Sequence, residues 1–148
     1  MASGTGREGM SMRIYYSMPD ELMLLDSLEG MNALHAQMRN FLASESQSIR
    51  LDAEQWGSAE PHDELLPGLE IIKGDGPLLL TMTPEKWLTL RGSRTNLERY
   101  VSHFHFDKDD ENHCPDRPPA GDYISPVSMS MMVEVCSDWI RELRAKRH

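Results

Sequence analysis

The run from Leu69 to Arg91 constrains the fold more than any other stretch of the chain. Two strand-length apolar segments, Leu69–Lys73 and Leu78–Met82, flank Gly74-Asp75-Gly76-Pro77, and Thr83-Pro84-Glu85 separates the second from Lys86–Arg91. Glycines that accept positive φ, set between short β-prone runs, specify chain reversals between extended segments rather than a helix. The segment therefore reads as a three-strand antiparallel meander. Side chains alternate across a strand, so Leu78, Leu80 and Met82 share one face with Leu88 and Leu90. Leu79, Thr81, Trp87 and Thr89 share the other, which is not very polar.

Other elements arrange themselves around this sheet. Arg13–Tyr16 suits a short strand. Ser17, Pro19 and Asp20 carry the signals of a helix start, and Leu24, Leu28, Met31, Leu34, Met38 and Phe41 recur at helical spacing, predicting a helix from about Pro19 towards Ala43 with a break at Gly30. Ser48–Leu51 is a short strand, and residues 52–68 form a polar loop that holds Trp56 and His62. Ser93 caps a helix over Arg94–Ser102. His103–Phe106 reads as a strand with both phenylalanines inward and both histidines outward, followed by an acidic loop to Asp122. Met129–Cys136 is an apolar strand, and Ser137 starts a last helix in which Trp139, Ile140 and Leu143 pack.

The expected architecture is α+β: a single domain over residues 12–148, with one mostly antiparallel sheet and two to three helices packed on one face. At 148 residues the length suits one domain with a real core. Residues 1–11 have no periodicity and read as a flexible leader or an expression remnant.

Charge and composition narrow the function. With 15 Lys+Arg against 24 Asp+Glu the net charge is −9, which argues against nucleic acid as a partner and suits a basic protein. Two cysteines, one in a polar loop and one in an apolar strand, fit a reducing, cytoplasmic compartment. No apolar run spans a bilayer, so no membrane role is expected. There is no G-x-S-x-G elbow and no glycine loop before a helix to hold phosphate, so we expect no enzyme activity.

Two constellations remain. His103 and His105 project from one face of the predicted strand, and His113 or Cys114 reached over a loop would complete a tetrahedral zinc site. A metal-binding or metal-dependent hydrolytic protein is accordingly the alternative function. The spacing is not that of a zinc finger, and histidines solvated beside neighbouring acids are the preferred reading, with no cofactor. The second constellation is the acidic loop, with Asp107, Asp109, Asp110, Glu111 and Asp116. It lacks the central glycine and distal glutamate of a calcium loop. As an acidic rim beside the aromatic anchors Trp56 and Trp87 it suits a protein partner.

The order of features also resembles a known family. An opening strand is followed by Ser17-x-Pro19-Asp20-Glu21-Leu22; later come "LLLTMTPEKWLTLRGS", the helix "NLERYV", an aromatic and histidine stretch, and Tyr123-Ile124-Ser125-Pro126 leading into "SMMVEV". This pattern, strongest from Leu78 to Cys136, resembles the immunity protein 32 family of bacterial polymorphic-toxin systems. The resemblance implies a small cytoplasmic protein that neutralises a toxin domain by binding and occluding it, without catalytic residues. A homodimer formed through the sheet face bearing Trp87 is a third reading.

Overall fold

The computed structural model describes residues 12–115 and 123–146. The leader 1–11 and Asp116 lie outside the described residues. The chain opens with an antiparallel hairpin, β1 (Arg13–Ser17) and β2 (Glu21–Asp26), in which Arg13 faces Leu25 and Ser17 faces Glu21. The helix expected from Pro19 is therefore a strand over its first part. The reason is two-sided burial. β2 lies between β1 and a parallel partner, β9 (Ser130–Val135), so Leu22 and Leu24 face the main core while Met23 and Leu25 face a second cluster. A strand covered on both faces loses its polar alternation, and a short apolar run of this kind matches helical spacing equally well.

Helix α1 (Leu28–Ala43) begins where Ser27 Oγ accepts the Gly30 N–H. Gly30 does not break it. The glycine sits in the first turn because the Asp26 carboxylate occupies the space a Cβ would need. Met31, Leu34, Met38 and Phe41 then form the buried stripe that the spacing predicts.

A second sheet holds β3 (Ser48–Asp52), β5 (Gly68–Lys73), β7 (Leu88–Gly92) and β6 (Leu79–Met82), in that order. The expected meander is thus rearranged: β7 inserts between β5 and β6, parallel to β5 and antiparallel to β6. Gly74 N–H donates to Gly92 O, so the Gly74–Pro77 segment passes the end of β7 instead of folding β6 back onto β5. The face assignment survives: Leu78, Leu80, Leu88 and Leu90 are all buried. Alternation dictates which way a side chain points and leaves the neighbouring strand open.

The first sheet runs β4-β1-β2-β9-β8, where β4 is Glu64–Leu65 and β8 is Asn112–His113. The protein is α+β and mostly antiparallel, built on two sheets where one was expected. They are stitched together at both ends. Glu54 N–H donates to Met12 O, and on the far side Met129 N–H donates to Leu80 O beside a Leu78–Ile124 bridge. That second seam covers the outer edge of β6, which would otherwise be open to strand addition.

The main core draws on both sheets, on α1, and on Leu97, Tyr100 and Val101 of α2 (Arg94–Val101). Helix α3 (Ser137–Lys146) goes elsewhere: Ile140 and Leu143 pack with Tyr15 and Leu25 on the opposite face of the first sheet. The helices therefore flank the first sheet on both sides, not on one. Among the described residues no helix is long and apolar enough to cross a membrane.

Candidate functional site

The segment expected to carry a histidine strand is a 3-10 turn, Ser102–Phe104, followed by irregular chain. Phe104 and Phe106 are buried, as the alternation required, but the histidines part company. His113 stacks on Phe106 with ring centroids 4.0 Å apart, and its Nδ1 lies 2.8 Å from His103 O. His105 turns the other way, to His35 on α1, at 5.4 Å between centroids. Cys114 is exposed. The shared strand face that motivated a zinc site on His103, His105, His113 and Cys114 is therefore not formed. Among the described residues no group of three or more His, Cys, Asp or Glu side chains is placed to hold a metal ion.

The acidic loop is ordered by the fold it borders. Glu111 O accepts the Val135 N–H, and Asp109 Oδ1 accepts the Ser137 N–H at 3.0 Å, at the first residue of α3. Asp109 is a helix-capping residue more than a surface anchor. Its partial burial alone would raise the carboxyl pKa. Hydrogen bonds from Ser137 and Asp110, aided by the Arg141 charge, outweigh that and hold it below its ordinary value. A carboxylate so lowered contributes stability above the unfolded pKa, which is lost as pH falls through the folded one. Asp109→Ala is accordingly expected to cost about 0.5–2 kcal/mol at neutral pH, as lost caps do. The gap to wild type should close as pH drops below about 4. Denaturant midpoints of the two proteins at pH 7 and pH 3 measure both.

Asp107 and Asp110 remain exposed and Glu111 half-buried. Trp56 is not a free anchor. Its ring lies 4.8 Å from the guanidinium of Arg13, a fully buried cation whose Nε donates to Tyr15 Oη. Trp87 is half-buried on the second sheet, with the Arg50 guanidinium 4.0 Å over its ring.

The concave surface nearest the acidic loop is one that sequence reasoning missed. Two contiguous cavities of about 510 and 320 Å³ both take in Met23 and His62, and together they form a groove along the outer face of the first sheet. Tyr15, Met23, Leu25 and Met132 supply an apolar floor. Trp139 of α3 borders one end and is 41% exposed, so the helix does not cover it. Opposite stands His62, held by Ser17 Oγ 2.9 Å from its Nδ1. Asp20, Glu21, Glu60 and Glu134 line the groove, and no lysine or arginine does among the described residues. The Asp107–Glu111 loop abuts the end marked by Cys136, where burial first, and then Asp110 and Asp109, push the thiol pKa up. That thiol is a poor nucleophile.

The signal for this groove was present in "ELMLLD" and "SMMVEV". Each strand already has its inward apolar set, yet carries a methionine on the outward register, and Met23 pairs with Met132 across β2 and β9. No family model matches the chain, and no curated protein or solved structure matches it either.

Proposed function

We propose that the protein is a non-enzymatic binding module whose outer groove seats a basic segment of a partner protein. The supporting observation is the groove itself: an apolar floor with a half-exposed tryptophan, rimmed by four carboxylates, on a chain of net charge −9. Apolar anchors at the centre and like charges at the rim are the arrangement of a specific, electrostatically steered interface. Methionine suits such a floor because its flexible thioether adapts to the surface presented to it. The resemblance to the immunity protein 32 family supplies the partner class, a bacterial toxin domain. Occlusion of the toxin, not chemistry upon it, is then the mode of action.

Steering by the rim acts on the encounter. The loop acids Asp107, Asp110 and Glu111 raise the local concentration of a basic partner before any contact forms, and salt screens that attraction over about 10 Å at moderate ionic strength. Replacing these three by serine, with Asp109 left to cap α3, should slow association with a basic partner protein captured from the native host several-fold and flatten its salt dependence. Dissociation and melting temperature should hold. An association rate indifferent to salt and to the triple change would remove the loop from the encounter.

A further inference from the structure

On the other side of α1 the structure carries a second concave surface, which shares no residue with the groove. It lies between α1 and α2, with a volume of about 440 Å³, and its wall is basic in an otherwise acidic protein. Arg39 and His35 come from α1, and Arg94 with Glu98 from α2. Leu42 and Val101, both buried, form the floor.

The charges are unevenly matched. Arg94 reaches Glu98 with Nε at 3.5 Å, an exposed pair one helical turn apart, while Arg39 makes no salt bridge among the described residues. Groups of like character crowd His35: His105 at 5.4 Å between ring centroids, and Arg39 one turn along the helix. Burial first, then these two neighbours, lower the His35 pKa. Ser102 adds no donor, because its hydroxyl is donated to Arg99 O at 2.6 Å.

We propose that this cleft binds a small organic oxyanion of the phosphate monoester type. The Arg39 and Arg94 guanidiniums would take the phosphoryl oxygens, and the Leu42–Val101 floor the organic group. Guanidinium forks match phosphate oxygens in pairs and keep their charge at any physiological pH. The volume falls within the range of ordinary ligand pockets, and Leu42 and Val101 line its base.

The test titrates the whole protein with inorganic phosphate and with phenyl phosphate, following the Arg39 and Arg94 Nε–H resonances and the backbone amides by NMR. Saturable shifts confined to α1 and α2 are expected for both probes, with phenyl phosphate the tighter. Arg39→Gln and Arg94→Gln should each weaken phenyl phosphate about tenfold, the worth of one charge-assisted contact. Both arginines are exposed, so the melting temperature should stay put. Non-saturating shifts spread over the surface, or affinities unchanged in both variants, would overturn the site. Equal affinities for the two probes would overturn the organic part of the ligand.

Discussion

Phe104→Ala is expected to destabilise the protein by about 3–5 kcal/mol, the cost of emptying a phenylalanine-sized space in a core that cannot fully collapse. Phe104 is fully buried and sits where three elements meet: the 3-10 turn that carries it, α1, and α2 through Tyr100, whose ring centroid is 6.2 Å away. Asn32 of α1 clasps the chain just beyond, its Nδ2 donating to Phe106 O and its Oδ1 accepting the Phe106 N–H, both at 2.9 Å. Losing the ring should therefore also loosen the His103–His113 contact and the start of the acidic loop. Chemical denaturation of the variant reads the first effect, and histidine NMR line widths the second. A midpoint within experimental error of wild type would mean that the phenylalanine is not the keystone its burial indicates.

How much of this was legible in the sequence depended on what each residue answers to. Local rules held where the decisive contact is local. Ser93 accepts the Asn96 N–H and starts α2 at Arg94 as the capping pattern required, and Leu80 and Leu90 lie opposite each other in the core. They failed where a distant strand decides. Glu21–Asp26 becomes a strand because β9, more than a hundred residues later, pairs with it along its whole length. That partner is invisible to a window of helical spacing. The order β5-β7-β6 escaped for the same reason: Leu69, Ile71, Leu80, Leu88 and Leu90 face the core whichever strand lies beside them.

The candidate site followed the same division. That the loop after Phe106 is acidic was plain, and its Asp107 and Asp110 do face solvent. That Asp109 caps α3 depends on a contact with Ser137, 28 residues away, which nothing nearby announces. His103 and His105 looked like neighbours on one face only on the premise of a strand. A 3-10 turn sends them to different partners. Trp56 and Trp139 exchanged roles. The tryptophan of the polar loop folds back over a buried arginine, while the one counted as helix packing borders an open groove.

Trp139 is therefore where the proposed function is most exposed to test. Tryptophans that insert into a partner carry about 2 kcal/mol or more of binding energy when truncated, a factor of roughly thirty in affinity. As a half-exposed helix residue its removal should cost the fold far less than that. Trp139 borders the groove between the Met23 floor and the acids Glu60 and Glu134, so a partner seated there must cover it. The measurement is the dissociation constant for a basic partner protein captured from the native host, wild type against Trp139→Ala, at fixed ionic strength and with the melting temperature of both checked. A loss of roughly thirtyfold, mainly through faster dissociation and with the fold intact, is the result the groove predicts. Equal affinities for wild type and variant would place the partner on another surface and contradict the account.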